Sequence, residues 1–206
     1  KYTQQEFMDI VNEVKSHDIP LDVMIFDMDW HDRDWTGWTW DKTVIPEPEK
    51  LIKFMHDNKL RVALNLHPAD GVDNDEEFFS DMTRDLGLPA STKNIPWNLE
   101  DSTFYKVMFK DILRKREAQG VDFWWLDWQQ YLHSKNVKGL GETFWHNHVF
   151  YNDMRVNRPD RRPVIFHRWG GLGSHRYPLG FSGDSFTTFG TLAFQPYFTA
   201  TASNVC

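Results

Sequence analysis

The sequence predicts an α/β chain of the (β/α)8 TIM-barrel type, and three observations predict it. Apolar, strand-like runs alternate with helix-period segments along the chain. Most of those runs are apolar throughout instead of alternating, as in parallel strands buried on both faces. Each run ends in polar or charged residues at its C-terminal end, where barrel enzymes carry their functional groups. A doubly wound sheet is the competing architecture. No glycine-rich phosphate loop follows the first strand, however, and Gly170-Gly171-Leu172-Gly173 comes only after the fourth.

The elements follow in order. Phe7, Ile10, Val11 and Val14 recur at helical spacing. Residues 21–30, with the apolar run Val23-Met24-Ile25-Phe26, read as the first strand. Leu51, Ile52, Phe54 and Met55 form the next helix, punctuated at its start by Pro46 and Pro48. Residues 61–67 are a second strand, and the polar stretch 73–93 is loop with a short helix. Residues 104–119 read as a helix closed by Gly120, and 121–128 as a third strand. A helix over 143–156 stops before Pro159, a fourth strand covers 163–169, a short fifth covers 179–183, and a last helix covers 186–195. A full barrel has eight strands in about 250 residues. The expectation over 1–206 is therefore one partial barrel domain with about five of eight βα units.

Composition excludes some partners. A formal net charge of −7 with no basic block argues against nucleic acid. No run of about 18 apolar residues suits a membrane span. The single cysteine, Cys206, cannot form a disulfide within the chain. Aromatics are abundant, with 16 Phe, 10 Trp and 6 Tyr, and the tryptophans gather at Trp30, Trp35, Trp38 and Trp40 and again at Trp124, Trp125 and Trp128. Core packing is one reading. A sugar site is the other, because flat aromatic faces pack on sugar C–H surfaces and indole N–H groups bond hydroxyls.

The strand ends carry the chemistry. They read Asp27-Met28-Asp29-Trp30-His31, Asn65-Leu66-His67, Asp127-Trp128-Gln129-Gln130, His167-Arg168-Trp169 and Ser182-Gly183-Asp184. A salt bridge or a helix cap explains one such end; five at the same end point to a site. No GxSxG elbow and no cysteine nucleophile context is present. Neither Asp27, Asp29, His31 and Asp32 nor His146 and His148 match a strong metal-ligand spacing, so no metal and no cofactor is expected. Paired carboxylates remain. Acetal cleavage protonates the leaving oxygen and stabilises an oxocarbenium-like carbon, which two carboxyl groups do from opposite sides. Asp127 and Asp184 are the candidates, with Asp29 competing.

Several segments together resemble glycoside hydrolase family 31. Residues 19–30 resemble an early barrel strand of that family, and Gly37-Trp38-Thr39-Trp40-Asp41 resembles its Phe-Thr-Trp-Asp stretch. Trp124-Trp125-Leu126-Asp127 resembles the nucleophile strand, and His167-Arg168-Trp169-Gly170-Gly171 the strand after it. Gly173-Ser174-His175-Arg176-Tyr177, leading to Ser182-Gly183-Asp184, resembles the acid/base segment. The resemblance implies a retaining, exo-acting α-glycosidase of the α-glucosidase kind, with an α-linked sugar as its partner. Asp127 would be the nucleophile and Asp184 the general acid/base. Asp29, Trp30, His67, Trp125, Trp128, His167, Arg168 and Arg176 would hold or wall the terminal sugar. Trp128-Gln129-Gln130 stands where many members have Met-Asn-Glu. That change reshapes the pocket and keeps α-galactosidase, α-xylosidase and α-N-acetylhexosaminidase in view. A different barrel glycosidase family and a non-catalytic sugar-binding remnant are the remaining alternatives. For the retaining reading the two carboxyls should lie about 5–5.5 Å apart, with Asp184 in the drier, more aromatic surroundings.

Overall fold

Thr3 starts the first helix. Its hydroxyl accepts the Glu6 N–H while the Glu6 carboxylate accepts the Thr3 N–H at 2.7 Å, a reciprocal capping box. The computed structural model describes residues 1–127, 133–168, 171 and 173–202. They cluster into two compact units, 1–125 and 126–206.

In the first unit, α1 (Gln4–Ser16) leads to β1 (Val23–Phe26), α2 (Pro48–Asp57) and β2 (Arg61–Leu66). Strands β1 and β2 are parallel, with Val23 opposite Arg61 and Phe26 opposite Leu64. The first strand is shorter than the apolar run suggests. After Phe26 the Asp27 carboxylate accepts the Met28 N–H at 2.7 Å, and the chain turns into a 3-10 helix over Met28–Trp30. Helix α2 buries Pro48, Leu51, Ile52 and Met55, the stripe expected of an amphipathic helix. Residues 73–93 hold α3 (Phe79–Asp85), as expected of a loop with a short helix. Around it, β3 (Val72–Asp73) pairs antiparallel with β4 (Asn94–Ile95), two-residue strands too short to leave a pattern in the sequence.

Residues 102–118 contain a change of helical register. Helix α4 (Ser102–Met108), capped by the Asp101 carboxylate, passes into a π-helical segment, Phe109–Leu113, and then into α5 (Arg114–Ala118). The Arg114 N–H donates to the Phe109 carbonyl, five residues back. Strand β5 (Phe123–Leu126) follows, and β2 lies between β1 and β5. At the N-terminal end of β2, the buried Asp122 carboxylate takes the Val62 N–H at 2.9 Å, Arg61 at 3.0 Å and His56 at 2.8 Å. The core of the unit includes Phe26, Leu51, Met55, Leu64, Trp30 and Trp40. Complete burial of such a side chain contributes about 1.5–3 kcal/mol.

In the second unit, α6 (Glu142–Asn157), β6 (Phe166–Arg168), β7 (Gly180–Phe181) and α7 (Phe189–Ala202) follow one another. Strands β6 and β7 are parallel, with Arg168 opposite Phe181. Both are shorter than the sequence suggests. Helix α7 begins three residues later than expected because the Thr188 hydroxyl accepts the Thr191 N–H at 3.1 Å and caps it there. It then runs past Pro196 to Ala202. None of its residues is buried. Among the described residues no helix is long and apolar enough to cross a membrane.

Candidate active site

The second unit brings Asp127, Arg168 and Asp184 together. Asp127 follows the last residue of β5, Arg168 ends β6, and Asp184 lies three residues beyond β7. Three successive elements thus end at one place, which is what the polar strand ends imply. Arg168 is the joint. Its Nε donates to Asp127 Oδ1 at 2.7 Å and its Nη2 reaches the same oxygen at 2.6 Å. The same Nη2 reaches Asp184 Oδ2 at 3.4 Å. The guanidinium also lies over the Phe181 ring, 4.9 Å from its centre. Gly183 makes room for this arrangement. It sits at φ +89°, and a Cβ there would stand 2.5 Å from Arg168 Nη1.

The two carboxylates sit in opposite environments. Asp127 is buried, with a side chain 6% exposed, whereas that of Asp184 is 84% exposed. The expectation that Asp184 occupies the drier surroundings is therefore corrected. Residues 182–186 carry no regular structure and expose Asp184, so water solvates its carboxylate. Asp127 emerges instead from the buried strand Phe123-Trp124-Trp125-Leu126. Because both carboxylates touch one nitrogen, Asp127 Oδ1 and Asp184 Oδ2 cannot be further apart than 2.6 Å plus 3.4 Å.

A buried polar chain stands behind Arg168. His167 is fully buried, and its Nε2 faces the Tyr177 carbonyl oxygen at 2.8 Å. Nε2 donates to that carbonyl, and Nδ1 lies 3.2 Å from the Asn147 side-chain amide nitrogen and 3.1 Å from the Arg168 carbonyl oxygen. The Tyr177 hydroxyl meets His148 Nδ1 at 3.0 Å, and burial pushes its phenol pKa up, so it stays protonated. His167 was expected among the sugar contacts. The structure puts both ring nitrogens to work inside the protein and places the residue behind Arg168 instead.

The remaining expected residues divide as follows. Trp30 is 2% exposed, donates its indole N–H to the Asn65 carbonyl at 2.9 Å and packs edge-on against Trp40 and His31. It is a core residue, which corrects its reading as a sugar platform. Asp29 is half exposed, and His67 is buried with its ring edge-on to Trp35. Trp125 is partly buried in β5, and Arg176 is exposed at the end of a 3-10 turn, Ser174–Arg176. Trp128, Gln129 and Gln130 lie outside the described residues. Asn147 was missed by sequence reasoning, and Gly183 was named only as the residue before the candidate acid, with no role given to it. Among the described residues no group of three or more His, Cys, Asp or Glu side chains is placed to hold a metal.

The sequence profile described as "Glycosyl hydrolases family 31 TIM-barrel domain" matches residues 1–206. The chain belongs to glycoside hydrolase family 31. The barrel expected from the alternation of strands and helices is the fold of that family's domain. Two curated family 31 relatives are α-xylosidases. XylQ of Lactiplantibacillus pentosus is 35% identical over 68 residues, covering 32% of this chain and 9% of that protein. The α-xylosidase of Saccharolobus solfataricus is 26% identical over 145 residues, covering 69% of this chain and 18% of that protein. The chain thus spans a small part of the length of these relatives. Among solved structures, a family 31 α-xylosidase from a soil metagenome, complexed with xylose, superposes with a TM-score of 0.65 at 20% identity. That match covers 92% of this chain and 31% of the other, and it shows a shared fold.

Proposed function

We propose that this chain is the catalytic part of a retaining, exo-acting α-glycosidase that removes a terminal α-linked sugar of gluco configuration. Asp127 attacks the anomeric carbon as Asp184 delivers a proton to the glycosidic oxygen, so the C–O bond breaks and a glycosyl ester forms on Asp127. Asp184, now a carboxylate, takes a proton from water; the water oxygen attacks the same carbon and the ester bond to Asp127 breaks. Two inversions leave the original anomeric configuration.

The observation that carries this reading is the double contact of Arg168. It holds one oxygen of each carboxylate on a single nitrogen, so the two groups lie close together, which is compatible with the retaining geometry of about 5–5.5 Å between carboxyls. The arrangement of charge is consistent with the roles. The guanidinium offsets the negative charge of the buried nucleophile, and the exposed carboxylate faces the solvent that supplies the second-step water. Glucose and xylose share the ring stereochemistry of this substrate class and differ by one hydroxymethyl group. The α-glucosidase kind implied by the resemblance and the α-xylosidase names of the relatives therefore converge on one ring shape.

A panel of aryl α-glycosides tested on the full-length protein decides it. The α-glucoside or α-xyloside should be turned over well above the α-galactoside and the N-acetylhexosaminide, with the first-formed sugar in the α configuration by NMR. An inverted product, or no turnover of any member of the panel, overturns the proposal.

A further inference from the structure

Asp184 sits in the link between β7 and α7, and that link does more than present a carboxylate. Ser182 and Ser185, on either side of Gly183-Asp184, line a cavity of about 580 Å³ whose other walls come from residues 186–188 and the start of α7. Every lining residue belongs to the second unit. The local backbone shapes the space. Gly183, at φ +89°, turns the chain away from β7. The Thr188 hydroxyl accepts the Thr191 N–H at 3.1 Å, and the Thr188 carbonyl accepts the Leu192 N–H at 3.0 Å. These two bonds fix where the helix begins and hold its first turn against the link.

Two kinds of side chain face this cavity. Phe186, Phe189 and Leu192 are apolar, and the two phenylalanines are 86% and 90% exposed. Large rings held in water are unfavourable, at about 25 cal/mol for each Å² of apolar surface. Beside them stand the hydroxyls of Ser182, Ser185 and Thr187 and the side-chain amide of Gln195. Among the described residues that line the cavity, none carries a formal charge.

That lining sorts ligands. A charged group would give up its hydration and find no counter-charge. A purely apolar group would strip water from the hydroxyls and the amide and return no hydrogen bond. A neutral sugar ring satisfies both kinds of wall, because its faces carry C–H groups and its rim carries hydroxyls. Position then decides which sugar of the substrate it is. In the proposed mechanism Asp184 protonates the glycosidic oxygen, so the group that departs with that oxygen lies against Asp184 and its neighbours. We infer that the cavity between residues 182–188 and the start of α7 binds the leaving group, a neutral sugar ring packed on Phe186 and Phe189 with its hydroxyls on Ser185, Thr187 and Gln195. The leaving-group role rests on the glycosidase reading; the affinity for a neutral sugar does not.

The test compares Phe189→Ala and Phe189→Tyr with the wild-type full-length protein on two substrates that share the cleaved sugar. One is an α-linked disaccharide ending in glucose or xylose (whichever the aryl panel favours), and the other is the α-fluoride of the same sugar. Fluoride fills none of the cavity. Phe189→Ala should lower kcat/KM on the disaccharide about tenfold, mostly through KM. It should leave the glycosyl fluoride within twofold, and Phe189→Tyr, which keeps the ring face, should recover most of the loss. Calorimetric titration of the disaccharide into the Asp127→Asn protein, with and without Phe189→Ala, reads the site without turnover and should show a similar loss. Equal losses on both substrates, the result expected if another part of the protein packs on these rings, overturn the inference. So does no loss on either, or unchanged disaccharide affinity. A wild-type protein that hydrolyses neither substrate yet loses disaccharide affinity on Phe189→Ala overturns the enzyme reading and keeps the cavity as a sugar site.

Discussion

The two units divide stability and chemistry unequally. Residues 1–125 bury a dense set of aromatic and aliphatic side chains and fix their strand β2 through the Asp122 cluster. Among the described residues of 126–206 the buried hydrophobic side chains are Leu126, Val149, Phe150, Met154, Ile165 and Tyr177, and α7 buries none of its residues. Yet Asp127, Arg168 and Asp184 all belong to the sparsely packed unit. The proposed mechanism needs a site that opens to sugar and to water in turn, and such a site suits the region with the fewest apolar contacts, where local opening costs least. The first unit contributes a frame, and the second contributes charges held by other charges.

That contrast can be broken by mutation. The largest effect is expected at Asp127. Asp127→Ala in the full-length protein should lower turnover by several orders of magnitude, because no glycosyl ester can form, while the melting temperature moves little. Azide with an activated aryl substrate should restore part of the rate and give inverted product; near-normal hydrolysis by this variant removes Asp127 from its role. Next comes a matched pair of leucines. Leu64→Ala in the buried strand β2 should cost about 2–5 kcal/mol, whereas Leu192→Ala, 64% exposed on α7, should stay within about 0.5 kcal/mol by denaturant unfolding. Similar losses at both positions show that the second unit packs more tightly than its exposure suggests. Third, Arg168→Met should lower kcat/KM by roughly two orders of magnitude, as removal of a charged donor from a reacting centre does. Arg168→Lys should recover little of it, since an ammonium cannot span both carboxylates as the planar fork does.

The smallest effect concerns pH and the first unit. Burial, above all, holds the His31 pKa down at about 4, with Lys1 and His67 adding to it. The unfolded chain takes up that proton near the ordinary value of 6.5, so below it the unfolded state binds more protons than the folded one. Stability is complete above pH 6.5 and falls as the pH drops towards 4. The melting temperature should therefore decline by a few degrees between pH 7 and pH 5. His31→Gln should flatten this slope even though it lowers the plateau, and an unchanged slope in that variant assigns the decline to other groups.

The features legible in the sequence were those that repeat along it. Val23-Met24-Ile25-Phe26 and Phe123-Trp124-Trp125-Leu126 announced strands, the second largely buried and the first half-buried apart from Phe26, and an aspartate follows each. Local hydrogen bonds that override pattern were not legible. Asp27 stops β1 by capping its own neighbour, and Thr188 delays α7, although both lie in runs that look continuous. Nor could composition separate Trp35 from Trp30 and Trp38. All three sit in one short polar-aromatic stretch, and only the bridge between His31 and Trp40, which closes that stretch into a loop, decides which indole stays partly exposed. The exposure of Asp184 follows likewise from the backbone around Gly183, which a single-letter reading does not contain.

The π-helical segment at Phe109–Leu113 makes one residue of that helix a spacer. Each residue in a regular helix advances the side chains by about 100°, so removing any one of those five would restore an ordinary helix and swing everything after it around the axis. Arg116, now 1% exposed with its guanidinium on the Trp38 carbonyl and Glu77, would point elsewhere, and Glu117 would leave the Trp124 indole it now accepts from. The extra residue therefore acts as an address. A rotation of about 100° decides which aromatic loop the Arg116 cation meets, and a deletion scan across 109–113 should be tolerated far worse than one across the exposed loop 135–139.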